Sequence, residues 1–290
     1  MSRKVVAILV ILLWVTGLAF IYRRQSNRTI DQQLAEVGLR VAPQALYYTL
    51  SQNGNVVGVA ASAIDTSKTR VIFTDLVRGK FPTGKDTLKV EARSEARYTR
   101  GMRLRDFVMR VGGDLSAFTL RGVMQEGEEK TLRLTTEADG ERPLTQESLA
   151  ERPLFTPSAV ALPLMLSREP KVGDSVKIAM FDPMSRSVHN VTVRVEADSL
   201  FLIPDSATID TTTHHWVKAH QDSLRGYRIT SRSAPVTAWV DNSGRLIAGS
   251  EPGGLTMTRT AFELAFENWR IDNAGTPIDV PRPPSKKQRR

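Results

Sequence analysis

Residues 87–98 alternate with period two. Leu88, Val90, Ala92, Ser94, Ala96 and Tyr98 fall on one side, and Lys89, Glu91, Arg93, Glu95 and Arg97 on the other. Successive side chains of an extended strand point to opposite faces, so this segment buries one face and wets the other as a strand of an antiparallel sheet. Ser94 is the single polar residue on the apolar side. The same rhythm recurs along the chain. Residues 46–50 and 56–64 flank Asn53-Gly54, a pair suited to the positive φ angles of a two-residue hairpin turn. Residues 71–77, 102–111, 117–124 and 131–138 continue the pattern, with glycine-containing breaks between them. It resumes over 175–181, 188–197, 200–203, 227–230, 236–240, 246–249 and 255–260. No alternation of strands with long helical stretches appears, which argues against a parallel sheet.

Helical signals are few. Ile30, Leu34, Val37 and Leu39 have helical spacing behind Thr29, a residue able to cap a helix start. Thr156-Pro157 reads as N-cap and first helical position, with Pro163 ending or kinking the helix. Residues 261–270 suggest a last helix, and 205–223 are polar and poorly patterned. The expectation is a mainly β protein of about twelve strands. They form one large curved, half-barrel-like antiparallel sheet, with three or four short helices against its concave face.

Ahead of this region, Val5 to Tyr22 is an 18-residue stretch without charge. As a helix it would span about 27 Å, close to the hydrocarbon thickness of a bilayer. Arg3 and Lys4 precede it, and Arg23 and Arg24 follow. The expected organisation is a membrane anchor over 1–28, an amphipathic connector over 29–44, a β-rich domain over 45–270 and a basic, disordered tail over 271–290. The N-terminus is expected inside, leaving the bulk of the chain outside a bacterial inner membrane.

The net charge of +9 is concentrated at the two ends. Five basic residues precede Thr29 and five occupy positions 282–290, with no acid in either stretch. Without these ten cations residues 29–281 carry about −1, so the domain offers no phosphate-binding surface and nucleic-acid binding is not expected. The ends read as topology and lipid-headgroup signals.

Catalytic signatures are sparse. The absence of cysteine excludes disulfides, thiolate metal sites and a cysteine nucleophile. No serine elbow and no HExxH motif is present. The glycine pairs at Gly112-Gly113 and Gly253-Gly254 fit turns and match no phosphate loop. His214, His215 and His220 lie close in sequence near Asp210 and Asp222 and are the candidates for a metal or general base. Their spacing favours a polar exposed loop. Trp216, Trp239 and Trp269 could line a pocket, although core packing is the commoner role of buried aromatics. No catalytic residue, metal or cofactor is assigned.

Two stretches together resemble a known family. One runs through Leu162-Pro163-Leu164-Met165-Leu166, Val172-Gly173-Asp174 and Phe181-Asp182-Pro183. The other runs through Ala238-Trp239-Val240-Asp241-Asn242-Ser243-Gly244-Arg245 and Pro252-Gly253-Gly254-Leu255. With Asn53-Gly54-Asn55-Val56-Val57-Gly58, they resemble the β-rich region that precedes the catalytic domain of bacterial transglutaminase-like proteins. That family's Cys-His-Asp chemistry has no counterpart here, so no catalytic residue carries over. The architecture also looks like the half-barrel of periplasmic lipoprotein carriers.

These readings converge on a membrane-anchored, non-catalytic binding or scaffolding protein that holds a lipid or other hydrophobic ligand on its concave face. Two alternatives stand beside it. One is an accessory interaction domain for a separately encoded envelope enzyme; the other is a hydrolase using His214, His215 or His220. An open apolar pocket, a packed core and three convergent histidines, respectively, distinguish them.

Overall fold

The computed structural model describes residues 30–281 except 84–85, 115, 126–130, 151–152, 167–168, 184, 232–235, 252–253 and 276–277. The anchor expected over 5–22 and the last residues of the basic tail lie outside the described residues. Among those described, no helix is long and apolar enough to cross a membrane.

A single 15-stranded sheet contains every described strand. The first half is a meander: β1 (Gln44–Gln52), β2 (Asn55–Thr66), β3 (Arg70–Thr83), β4 (Asp86–Thr99), β5 (Leu104–Gly113), β6 (Phe118–Gln125), β7 (Thr131–Ala138) and β8 (Leu144–Leu149). The second half comprises β9 (Leu154–Phe155), β10 (Ser175–Asp182), β11 (Ser187–Ile209), β12 (Trp216–Ser231), β13 (Val236–Asp241), β14 (Leu246–Ser250) and β15 (Leu255–Thr260). Each strand pairs with its sequence neighbour within its half, and β1 pairs with β15 to join the halves. Every pairing is antiparallel except that of β9 with β10. Asn53 and Gly54 adopt φ of 52° and 83°, as a hairpin turn between β1 and β2 requires.

The sheet curls so that its two ends approach. Gln146 in β8 donates to the Arg186 carbonyl in the turn between β10 and β11 at 2.7 Å. One apolar core accordingly draws from both halves, with Phe73, Tyr98, Phe107 and Leu132 from one and Ile178, Val193, Tyr227 and Val240 from the other. Between them sits a plug formed by β9, a 3-10 turn (Pro157–Ala159) and α2 (Leu162–Met165). Helix α1 (Ile30–Arg40) closes the same core with Leu34 and Val37. It also reaches the plug through Arg40 Nη1, which donates to the Leu166 carbonyl at 2.9 Å.

A second inner cluster gathers Leu46, Tyr48, Leu50, Val57 and Ala60. On the outer face a π-turn (Glu263–Glu267) runs into α3 (Asn268–Asp272) and covers Val59, Ala61 and Leu76 with Phe266 and Trp269. Val280, within the tail expected to lack structure, is buried in this outer cluster.

Expectations for particular segments are corrected. Residues 205–223 do not form an unpatterned loop: β11 extends to Ile209 and β12 starts at Trp216, making one long hairpin. The ribbon projects beyond its sheet neighbours and is exposed on both sides over much of its length, so no alternation marks it. The segment between β7 and the 3-10 turn, which contains Pro143 and Pro153, holds β8 and β9. Thr156 and Pro157 do occupy the N-cap and first position of the 3-10 turn, but the Thr156 side chain makes no cap bond. Its hydroxyl instead pairs with the Tyr98 hydroxyl at 3.0 Å, and its N–H donates to that same oxygen at 2.8 Å.

Candidate functional site

The inner face of β2, β3, β4 and β5 carries a row of laterally paired residues: Ser62 opposite Asp75, Asp75 opposite Ser94, and Ser94 opposite Met109. Strand parity puts them in phase with Ile64, Phe73, Ala96 and Phe107, all buried. Three polar side chains therefore interrupt an otherwise apolar wall. They are half-buried, because the wall opens there onto a cavity of about 380 Å³. That volume lies within the ~300–1,000 Å³ typical of small-molecule sites.

The cavity separates the two inner clusters. Phe107, Val160, Phe181, Ile229 and Val240 border it from the plugged core, and Tyr48, Ala60, Val77 and Met257 from the other side. The structure thus combines a packed core at the plug with an apolar opening beside it. Trp216, Trp239 and Trp269 do not line the opening. Trp239 meets Phe201 edge-on at 5.0 Å, and Trp269 belongs to the outer cluster.

The polar end is completed by the turn between β13 and β14. Gly244, at φ 76°, lets the chain reverse tightly there. Asp241 Oδ1 accepts from the backbone N–H of Ser243 and of Arg245 at 2.9 and 3.0 Å, and from the Ser243 hydroxyl at 2.6 Å. Its Oδ2 accepts from Nη1 of Arg259 on β15 at 2.9 Å, so this carboxylate is paired with a neighbouring cation.

Arg245 follows and is 2% exposed. Its Nη2 donates to Ser62 Oγ at 2.6 Å, Ser62 in turn donates to Asp75 Oδ1, and Ser94 donates to Asp75 Oδ2 at 3.2 Å. The Arg245 guanidinium lies 5.9 Å from the Phe73 ring, and its Nε has no hydrogen-bond partner among the described residues. Burial pushes the neighbouring Tyr48 hydroxyl up to about 12, against the opposing pull of Arg245 and Arg259. It stays protonated and donates to the Leu246 carbonyl at 3.3 Å.

The histidines occupy other places. His214 sits at the tip of the long hairpin with φ 57°. His215 contacts the Thr213 carbonyl through Nδ1 at 2.9 Å and Asp272 through Nε2 at 2.8 Å. The hydrogen bond to Asp272, helped by Thr213, raises its pKa. His220 lies on β12 rather than in a loop and contacts Asp205 at 3.0 Å. Asp205, His220 and Asp222 are exposed and bring potential ligand atoms within 4.8 Å of one another; neither His214 nor His215 joins that group.

Sequence reasoning overlooked a second grouping at the turn between β10 and β11. Asp182, Ser185, Ser187 and His189 meet there. Both serines and the carboxylate approach the same ring nitrogen, Nε2, of His189. A catalytic triad needs the acid on the opposite nitrogen, where it orients the base.

No family model matches the chain, and no curated protein matches it. Two solved structures show partial similarity to the chain. A β-barrel-like protein of domain of unknown function DUF1849 from Brucella abortus is 11% identical, with a TM-score of 0.43, over 76% of this chain and 95% of that one. A DUF1089 family protein from Pseudomonas aeruginosa is 12% identical, with a TM-score of 0.34, over 67% of this chain and 90% of that one.

Proposed function

We propose that this chain is a non-catalytic binding protein that holds a hydrophobic molecule in the cavity on the inner face of its sheet. We further propose that residues 5–22 tether it to a bacterial inner membrane, with the β domain on the outer side. The cavity carries the reading: apolar side chains from both halves of the sheet make up most of its wall, and Ser62, Asp75, Ser94 and Arg245 form a polar group within it. The uncharged run from Val5 to Tyr22 supports the tether.

Native mass spectrometry of the detergent-extracted full chain tests this. The expected result is an intact mass that includes the residues before Arg23, together with a co-purified lipid-like molecule. Ala92 borders the opening and is half-buried. Ala92→Trp should fill the space and remove the bound molecule without lowering the melting temperature. Retention of that molecule by the folded Ala92→Trp protein would rule out the cavity as its seat.

The second reading, an accessory domain for an envelope protein, draws on Leu200 and Leu202. They are 73% and 66% exposed on the long hairpin. Co-purification of a stoichiometric protein lost on Leu202→Ser would favour it over ligand binding.

A further inference from the structure

Accepting that the cavity binds a hydrophobic molecule, the charges at its polar end decide what head group that molecule carries. The ionisable residues bordering the cavity are Tyr48, Asp75, Arg93 and Arg245. Tyr48 is neutral, as described. Arg93 is committed to Asp279, at 3.2 Å on the outer side. Arg259, the register partner of Tyr48, lies outside the lining and is paired with Asp241, so these two charges cancel each other. What faces the ligand is one cation, Arg245, and one anion, Asp75, joined through Ser62.

Three kinds of ligand can be compared at this pole. A bare hydrocarbon leaves the surplus donors of Arg245 without acceptors in an apolar enclosure, and a buried unpaired donor costs about 1–3 kcal/mol. A free carboxylate supplies an acceptor but places a second negative charge beside Asp75 with only one cation to balance the two. Burying an unbalanced charge is the least favourable arrangement. An uncharged carbonyl oxygen accepts from the guanidinium and leaves the charge balance unchanged. Its ester or amide neighbour can also meet the Ser62 and Ser94 hydroxyls, which can donate or accept.

We infer that the cavity selects an uncharged acyl derivative, an ester or amide of a fatty acid, with its carbonyl seated at Arg245 and its chain along the apolar wall. Free fatty acids and plain hydrocarbons are discriminated against. Arg245 acts as the head-group anchor, and Asp75 is the element that rejects anions.

Isotope-labelled palmitamide, palmitic acid and hexadecane, matched in chain length, provide the test. Each is incubated at neutral pH with the purified full chain in an amphipathic polymer. The protein is then re-isolated by gel filtration and its bound ligand is quantified by mass spectrometry. Palmitamide should be retained about tenfold more strongly than either other ligand, a difference of ~1.4 kcal/mol. Arg245→Met, which keeps the apolar stem, should reduce palmitamide to the level of hexadecane.

Asp75→Asn keeps an acceptor for Ser62 and Ser94 but leaves the pole with one net positive charge. It should raise retention of palmitic acid about tenfold while leaving hexadecane unchanged. Because this is a gain of binding, a misfolded variant cannot mimic it. Equal retention of all three ligands by the wild-type chain would overturn the head-group inference and leave the hydrophobic-ligand reading standing. Stronger retention of palmitic acid than palmitamide by the wild type would do the same. Retention of none would overturn both.

Discussion

Val193 and Arg194 are adjacent on β11 and have opposite environments. Val193 is fully buried in the core, and Arg194 is exposed. Val193→Asp places a carboxylate against apolar neighbours, so it should destabilise the protein by at least ~2 kcal/mol. Arg194→Ala should stay within about 0.5 kcal/mol, as exposed substitutions usually do. Urea denaturation of both variants measures the contrast, and equal tolerance would mean that the assigned strand phase is wrong. This phase was legible in the sequence because Val191, Val193 and Val195 alternate with charged or polar neighbours. The polar end of the cavity was partly legible. Ser94 stood out as the polar member of an apolar face, and Asp75 carried the same signal, being in phase with Val71, Phe73 and Val77. Arg245 was not legible. It follows a glycine turn, where an arginine ordinarily faces water, and only the curl of the sheet carries the turn between β13 and β14 to Ser62 on β2.

At the scale of elements, the long hairpin of β11 and β12 depends on its tip. Its anchorage is polar: Asn268 exchanges two hydrogen bonds with the Trp216 backbone at 2.8 Å each, and His215 pairs with Asp272. The hydrogen bond to Asp272 raises the pKa of His215, so the proton is held more tightly in the docked state. That stabilisation is fully present below the ordinary histidine value and is lost as pH rises through the raised value. Amide hydrogen exchange at the hairpin tip and in α3, corrected for intrinsic rates, should therefore accelerate from mildly acidic to mildly alkaline pH. Asp272→Asn should flatten that dependence; an unchanged profile would exclude His215 as its source. The sequence concealed this element because a two-stranded ribbon exposed on both sides needs no alternation. The plug was legible only as an apolar stretch around Pro163. Its division into a strand, a 3-10 turn and α2 depends on Tyr98, whose hydroxyl holds Thr156 from across the core.

At the scale of the whole molecule, one core serves both halves of the sheet, and Phe155 of the plug stands at its centre. Phe155 is fully buried and stacks on Tyr98 with ring centres 6.0 Å apart. Phe155→Ala should cost ~3–5 kcal/mol. It should lower a single cooperative unfolding transition seen alike by far-UV circular dichroism and tryptophan fluorescence. Two separated transitions would show that the halves unfold independently. The sequence implied one curved sheet but not where its two halves join, because pairing between β1 and β15 leaves no local mark. That joint has a consequence for how the protein is made. Hairpins within each half can close as they leave the ribosome, since their partners are neighbours in the chain. β1 cannot complete its pairing until Leu255–Thr260 has been synthesised, some two hundred residues later. Through that interval it is an open strand edge, the kind of surface through which nascent chains pair with the wrong neighbour. The slow step of folding is then the meeting of the first strand with the last, and a chaperone acting on this protein would be expected to engage it before that meeting.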